Sequence, residues 1–380
     1  MNGPTASRTL APRDDSRALR PIALSAGARA VGLALALGGC AAAPLGRTPA
    51  VGRLCISNPD RLDVSVAAID GDRRVTIANP GRAETAELSL LAGAYVVHAP
   101  TPHGTLALQA PLHAVTHPEG TPRGQPLTVR LEVPPPRARS DAAFAWIPAG
   151  PALIGDALGV GQEDERPARV VDVPAFWLGR CELTNAEYAA FLGAVDPDVD
   201  PGWCAFDSRK CRLARDAVTG QWTTPAPQQP VVTVSLAGAQ AYCDWWTRRT
   251  GVRHRLPSEV EWEKAARGPE SFVYAYGNTY RRDAANQESG ALREVARGAP
   301  NGFGLFDMTG NAFEWTSDSY PGAAISGASR QDRVLRGGSF VLDGMYLRAS
   351  FRMRQRPDVR TDDFGFRVAR DATATDLDPR

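Results

Sequence analysis

Cysteines are the residues of this chain whose chemistry depends most on their spacing. Cys204 and Cys211 lie seven positions apart in a loop rich in Asp, Arg and Pro, which predicts a disulfide between them in an oxidising compartment. Cys181 and Cys243 are candidates for a second bridge. A zinc-type site is not favoured, because the chain has no Cys-x-x-Cys spacing and His254 is the only histidine after residue 140.

The N-terminal segment predicts export and lipid attachment. Arginines dominate residues 1–29, and an apolar stretch too short to span a bilayer follows from Ala30 to Gly39. The segment ends in Leu37-Gly38-Gly39-Cys40, which resembles the bacterial lipobox. We therefore expect residues 1–39 to be removed as a signal peptide and Cys40 to carry the lipid. Because Ala41 is not acidic, we expect an outer-membrane lipoprotein facing the periplasm. The alternative is a plain signal peptide with an incidental cysteine.

Composition excludes several classes of protein and divides the chain in two. With 380 residues, 43% of them hydrophobic, the chain is not disordered, collagenous or a polytopic membrane protein. The formal charge is 43 − 42 = +1, so no global field attracts nucleic acid, and we expect no nucleic-acid partner. Of the 28 aromatic residues (12 Phe, 8 Trp and 8 Tyr), only Tyr95 precedes residue 140, which indicates two different domains.

Strands and turns are predicted for the first domain. After a tether over residues 40–60, apolar residues alternate between Leu62 and Val66, and the next turn lies at Asp70-Gly71-Asp72. We predict a small all-β, sandwich-like module over residues 61–136. The stretch Leu91–Val97 resembles PEGA-type surface β modules.

The second domain, over residues 142–371, combines short helices with long irregular stretches. Thr184–Glu187 and Ser258–Glu261 are capping-box patterns, and each predicts the start of a helix. Ser235 predicts the start of another helix, which should stop at Gly251. After Gly268 the helical periodicity disappears, so packing of aromatic residues, bound ions or cross-links must order the rest. Residues 372–380 are expected to be a disordered tail.

An ordered series of motifs identifies a family for this second domain. The sequence resembles the formylglycine-generating enzymes, or sulfatase-modifying factors, and the resemblance extends over roughly residues 145–370. The motifs occur in the family's order at Glu182–Phe191, Pro230–Ser235, Ala241–Cys243, Arg255–Glu263, Tyr274–Asn278, Asn301–Trp315, Arg336–Phe340 and Gly365–Val368.

The resemblance implies a fold and a structural ion. The family is similar to C-type lectins, so the chain as a whole is expected to be α+β, with a small β module followed by a domain of sparse regular secondary structure. The family pattern implies a calcium site, which carboxylate and carbonyl oxygens suit. A second calcium loop of the family is matched only at Asn286, because the acidic segment that follows it in relatives is absent. Alternatively, Glu314 caps a loop and pairs with an arginine. The implied calcium ligands are the side chains of Asp307 and Glu314 and the carbonyls of Gly310 and Ala312.

The catalytic positions implied by the resemblance are altered. Family enzymes oxidise a substrate cysteine with oxygen, and two cysteines after a Gly-Gly-Ser motif bind copper(I), an ion that prefers soft sulfur ligands. Here the two positions hold Leu342 and Leu347, and no cysteine follows Cys243. Copper is therefore not expected. An iron-dependent branch of the family that makes carbon–sulfur bonds needs a His-rich companion domain, which this chain lacks.

The remaining expectation is a binding role, with enzymatic activity not favoured. We expect a non-catalytic binding or scaffold module that presents a lectin-like cleft to a peptide, a glycan or an envelope protein. Two alternatives stay open: a formylglycine-generating oxidoreductase acting on a protein cysteine, and a regulatory component of a secretion or signalling assembly. The cleft residues that the resemblance implies are Trp315, Ser339, Tyr346, Arg348, Arg352 and Arg354.

Overall fold

The structure is a computed structural model. It describes residues 51–57, 63–70, 73–91, 95–101, 104–109, 127–130, 142–156, 159–320, 331–373 and 376. The predicted signal peptide, Cys40 and most of the predicted tail lie outside the described residues. The chain divides into two compact units, residues 1–45 and 46–380, and every described residue belongs to the second.

Two sheets with a common apolar core form the first domain. One sheet has the order β4-β1-β7 and the other has the order β3-β2-β5-β6. Between them lie the buried side chains of Leu54, Ile56, Val64, Val66, Tyr95 and Val97. The strands are β1 (Val51–Ser57), β2 (Val64–Asp70), β3 (Arg73–Gly81), β4 (Thr85–Leu91), β5 (Tyr95–Thr101), β6 (Gly104–Gln109) and β7 (Leu127–Arg130).

Strand β1 corrects the predicted tether. The tether was expected over residues 40–60, but Val51–Ser57 pairs antiparallel with β4 and parallel with β7. Leu54 and Ile56 of this strand are buried in the module core. The second half of the expected tether is therefore part of the module, because its alternate side chains have an apolar surface to cover.

The second domain is built around two four-stranded sheets. Their strand orders are β14-β19-β11-β8 and β17-β16-β15-β18, and two-stranded ribbons β9-β10 and β12-β13 complete the domain. Strands β6 and β7 of the first domain contact β9. The strands are β8 (Phe144–Ile147), β9 (Gly150–Ile154), β10 (Arg169–Val173), β11 (Phe176–Gly179), β12 (Ala214–Arg215), β13 (Trp222–Thr223), β14 (His254–Arg255), β15 (Phe313–Ser319), β16 (Arg333–Arg336), β17 (Met353–Gln355), β18 (Phe364–Gly365) and β19 (Ala369–Asp371).

Three α-helices begin and end close to the predicted positions. Helix α1 spans Asn185–Val195, α2 spans Leu236–Thr250 and α3 spans Glu259–Arg267. Both capping boxes are confirmed, with reciprocal hydrogen bonds between cap and third helical residue at the starts of α1 and α3. The described residues between α3 and residue 373 contain no further α-helix. This combination of short helices, short strands and long loops is the expected α+β architecture.

Aromatic side chains of α1 and α2 form the centre of the larger core. Tyr188 and Phe191 of α1 contact Tyr242 of α2, and Phe366 packs edge-on against both Tyr188 and Tyr242. Through Phe366, the region after Gly268 takes part in this aromatic core. Among the helices that the structure describes, none is long and apolar enough to cross a membrane.

Lys264 of α3 is a buried lysine, and it predicts a pH dependence of stability. Its Nζ donates to the carbonyls of Pro148 and Gly150 at 2.6 and 3.0 Å. Burial lowers the pKa of Lys264 to about 7. Between about pH 7 and pH 10 the unfolded chain therefore holds a proton that the folded chain has lost. The contribution of Lys264 to the free energy of unfolding should rise with pH across this window, by up to about 1.4 kcal/mol per pH unit.

Urea denaturation from pH 7 to pH 10 tests this dependence. The free energy of unfolding of the wild type should rise relative to that of Lys264→Met. Lys210 is the only other lysine of the chain and is exposed in a surface pair with Asp362, so Lys210→Met should run parallel to the wild type. Parallel curves for the wild type and Lys264→Met would contradict the lowered pKa.

Candidate functional site

The segment after the Gly-Gly-Ser motif folds into a tight turn that positions both leucines. A single turn of 3₁₀-helix spans Gly344–Leu347, and the side chain of Asp343 caps it by accepting from the backbone N–H of Met345 at 3.2 Å. The turn places Leu347 towards the interior and leaves Leu342 half-buried at the edge of the main core cluster.

Leu347 packs tightly against the backbone of the motif. Its side chain is fully buried. Gly338 has φ +75°, and a Cβ added there would lie 2.2 Å from Leu347 Cδ2, so only glycine is accommodated at this contact. The two positions at which the resemblance implied copper ligands therefore present methyl groups in a packed environment. These residues do not fit a copper site.

Two of the expected cleft residues lie inside the fold. Trp315 is fully buried, and its indole N–H donates to the carbonyl of Val234 at 2.9 Å. Ser339 is also fully buried and donates to Asp363 Oδ2 at 2.9 Å. Their side chains support the core rather than line an open cleft, because each satisfies its polar group with an internal partner. Tyr346 is half-buried, edge-on to Phe351 at 5.3 Å.

The three arginines expected in the cleft form ion pairs within the domain. Arg348 Nη2 donates to Glu165 Oε1 at 2.6 Å, and Arg352 Nε donates to Glu259 Oε1 at 2.7 Å. Arg354 lies 3.7 Å from the Asp332 carboxylate. Arg348 and Arg352 are largely buried in these pairs, so they brace the loops rather than present their guanidinium groups to a ligand.

The carboxylates expected to bind calcium are also ion-paired. Glu314 accepts from Arg367 Nε and Nη2 and from Trp262 Nε1, each at 2.6 Å. Asp307 accepts from Arg293 Nη2 at 2.9 Å and from the backbone N–H of Ala296 at 2.7 Å. This is the alternative in which Glu314 pairs with an arginine.

Asn286, the residue of the second predicted calcium loop, also has internal hydrogen-bond partners. Gly310 and Ala312 are buried in the loop that holds Asp307. The amide of Asn286 donates to Asn311 Oδ1 at 2.9 Å and to the carbonyl of Ala291 at 3.0 Å. Within the described ranges, no group of three or more His, Cys, Asp or Glu side chains is placed to hold a metal ion. The two predicted carboxylates are thus paired with arginines, and the calcium site stays a prediction.

Glu182, a residue of the first motif, carries a buried carboxyl group beside this network. Its Oε1 accepts from Asn311 Nδ2 at 2.9 Å, while its Oε2 has no hydrogen-bond partner among the described residues. Burial, and then the nearby Asp307 carboxylate, raise the pKa of Glu182 well above its ordinary value. Both effects favour the neutral form of this side chain.

Comparison with known proteins identifies the family. The sulfatase-modifying factor enzyme 1-like domain matches residues 130–372. The chain belongs to the sulfatase-modifying factor family.

Relatives cover most of the second domain. An inactive C-alpha-formylglycine-generating enzyme 2 of Mus musculus is 31% identical, over 61% of this chain and 87% of its own. A formylglycine-generating enzyme of Streptomyces coelicolor is 30% identical, over 64% of this chain and 93% of its own. The solved structure of PvdO from Pseudomonas aeruginosa is 27% identical, over 60% of this chain and 94% of its own, with a TM-score of 0.47. The C-type-lectin-like fold follows from membership of this family.

A cavity in the sulfatase-modifying factor domain is lined partly by residues of the first motif, among them Glu182. It has a volume of about 480 Å³, and its walls come from β8, the end of β11, the start of α1 and the middle of α2. Cys181 lines it, but burial raises the pKa of this thiol to about 12, so the group is protonated and a poor nucleophile. The other side chains on its walls include Phe144, Arg180, Trp246 and Phe306.

Exposed apolar side chains flank Leu342 in this family member. Val341 and Met345 are 53% and 50% exposed on either side of Leu342 along the chain. Tyr280, 41% exposed, packs over Gly344, where an added Cβ would lie 2.2 Å from the ring. Single exposed apolar residues are common on protein surfaces. Here Val341 and Met345 lie on either side of Leu342, and Tyr280 packs against Gly344 of the same segment.

The predicted disulfide positions are close in space. The Sγ atoms of Cys204 and Cys211 lie 3.5 Å apart as thiols. Cys181 and Cys243 are also free thiols, and no sulfur contact joins them in the part of the chain that the structure describes.

Proposed function

We propose that this protein is a non-catalytic, partner-binding member of the sulfatase-modifying factor family, held at the bacterial cell envelope through a lipid on Cys40. The observation that carries the proposal is the identity and packing of Leu342 and Leu347. One is fully buried and the other is half-buried against the core, at the two positions where the family pattern has copper-binding cysteines.

The chemistry of these side chains supports a loss of oxidase activity. Copper(I) needs soft donors such as thiolates, and leucine has no lone pair. No cysteine follows Cys243 in the sequence, so none of the later loops can supply a replacement thiolate. The nearby Met345 has one thioether, which is a weak ligand by itself. A relative in mouse is itself named an inactive formylglycine-generating enzyme, which supports the existence of non-catalytic members.

The surface chemistry supports a peptide or protein as the partner. An arginine in a cleft can bind carboxylates or phosphates. Here Arg348 is paired with Glu165, and Arg352 is paired with Glu259. The side chains that face solvent beside Leu342 are apolar or aromatic. Such a surface binds a partner by burying the partner's apolar groups. A lipid anchor would hold this surface at the membrane, facing other envelope proteins.

The absence of oxidase activity can be tested directly. The full chain is incubated with copper(I) and a Cys-x-Pro-x-Arg peptide in air, and mass spectrometry follows the loss of sulfur from the peptide cysteine. We expect no conversion above a copper-only blank. The Streptomyces coelicolor formylglycine-generating enzyme serves as the active control. Conversion of the peptide to the aldehyde by the wild-type chain would overturn the proposal.

A matched variant tests whether Leu342 and Leu347 are the reason that we expect no copper binding. Copper(I) retention after gel filtration is compared in a Cys204→Ser/Cys211→Ser background, which removes the other pair of neighbouring thiols. We expect retention to appear only when Leu342→Cys and Leu347→Cys are added to that background. Equal copper(I) retention with and without the two added cysteines would show that copper does not bind at positions 342 and 347, and would contradict this explanation.

A further inference from the structure

Two thiols face each other in a loop far along the chain from the altered catalytic segment. Cys204 Sγ and Cys211 Sγ are 3.5 Å apart. Cys204 is buried, with 1% of its surface exposed, whereas Cys211 is half-buried. The pair therefore consists of one protected and one accessible sulfur.

The backbone of the loop brings the two sulfurs together. The N–H of Ser208 donates to the carbonyl of Ala205 at 2.9 Å, and the N–H of Cys211 donates to the carbonyl of Ser208 at 3.1 Å, so two consecutive turns reverse the chain. Cys204 itself is fixed by an antiparallel bridge to Val234. The approach of the sulfurs is a property of the fold of the loop and not of one side-chain rotamer alone.

A threonine in an uncommon conformation lies against the buried sulfur. Thr233 Oγ1 is 3.2 Å from Cys204 Sγ, and Thr233 has φ +61°, which is costly for a β-branched residue. The N–H of Thr233 donates to the carbonyl of Thr361, and its carbonyl accepts from the N–H of Ala205. These bonds hold the conformation and keep the hydroxyl beside Cys204.

The two thiols differ in the direction in which their pKa is shifted. The hydrogen bond between the two sulfurs lowers the pKa of the Cys211 thiol below its ordinary value. The same hydrogen bond, and then burial, raise the pKa of Cys204. The accessible sulfur therefore loses its proton more readily than the buried one, and the thiolate is the form that attacks disulfides.

We propose that Cys204 and Cys211 are a redox modification site that closes to an intramolecular disulfide by exchange with an external disulfide. The Cys211 thiolate attacks one sulfur of the external disulfide, the external S–S bond breaks, and one thiolate leaves. Cys204 then loses its proton to solvent and attacks Cys211 Sγ, which releases the second external thiolate. The cysteine pair loses two electrons, and the external disulfide gains them. The two sulfurs must approach by roughly 1.5 Å to reach the S–S bond length of about 2.05 Å.

The test uses the full chain, reduced and then equilibrated in glutathione buffers of increasing oxidised fraction. Free thiols are alkylated after unfolding, and tryptic peptides are analysed by mass spectrometry. Trypsin cleaves after Arg209 and Lys210, so peptides containing Cys204 and Cys211 stay joined only through a disulfide. We expect the joined pair to accumulate with oxidation while Cys243 stays fully alkylated. Equal alkylation of Cys204, Cys211 and Cys243 in the most oxidising buffer would overturn the proposal.

Single variants test the order of the two steps. Cys204→Ser should trap one glutathionyl adduct on Cys211, whereas Cys211→Ser should form little adduct on the buried Cys204. Equal adduct formation in the two variants would contradict the assigned roles. Both variants replace a thiol with a hydroxyl group. Their folding is checked by comparing their melting temperatures with that of Cys243→Ser, which makes the same replacement at another buried cysteine. In the wild type, oxidation should raise the melting temperature by ~5 °C, since the disulfide closes a short loop.

Discussion

Replacing Arg367 by methionine is expected to lower the free energy of unfolding by about 3–5 kcal/mol. Arg367 and Glu314 are both fully buried, and two hydrogen bonds of 2.6 Å join the guanidinium to the carboxylate. Arg367 also donates to the carbonyls of Gly179 and Phe306, both at 3.0 Å. Removal of the guanidinium leaves a buried carboxylate without its counter-charge and two carbonyls without these donors, and each of these changes is unfavourable.

Urea denaturation at pH 7 measures this effect. The control is Arg356→Met, because Arg356 forms a fully exposed pair with Asp358 and its loss should not change stability measurably. The double variant Arg367→Met/Glu314→Gln should lose less stability than the sum of its single variants, since the uncompensated charge is gone. A loss below 1 kcal/mol for Arg367→Met would contradict the buried ion pair.

Leu347→Ala is expected to lower the free energy of unfolding by about 3 kcal/mol. The side chain is fully buried and packs against Gly338, so its truncation leaves a cavity beside a backbone that cannot easily move inward. The effect bears on the proposed function, because it measures how firmly the side chain at this position is packed into the core.

Leu342→Ala is the matched control for this prediction. The same substitution at the half-buried position removes less buried surface, so its cost should be less than half that of Leu347→Ala. Thermal and urea unfolding of both variants provide the comparison. Equal costs at the two positions would contradict the difference in packing and would favour a cavity that a ligand could enter.

The helices show what local sequence predicts well. The starts of α1 and α3 were predicted from Thr184–Glu187 and Ser258–Glu261, and both capping boxes are present. The stop of α2 at Gly251 is also confirmed. These features depend on hydrogen bonds between residues three or four positions apart, and side-chain type largely determines whether such bonds can form.

Strand β1 shows where local sequence was insufficient. Residues 51–57 lie within the predicted tether, residues 40–60, and the strands that pair with them, β4 and β7, are distant in sequence. The alternating pattern of Leu54 and Ile56 is too short to be distinguished from chance in a single sequence. Pairing with non-local strands overrides such a weak local signal.

The sequence by itself determined the family, the ends of the helices and the absence of thiolates at positions 342 and 347, because each depends only on residue identity and short spacing. Tertiary structure alone decided the roles of the arginines. Arg348 and Glu165 are 183 residues apart, and Arg367 and Glu314 are 53 apart. Nothing in the local sequence distinguishes an arginine that faces a ligand from one that neutralises a buried carboxylate. Burial makes that choice, because a charge removed from water must find its counter-charge within the fold.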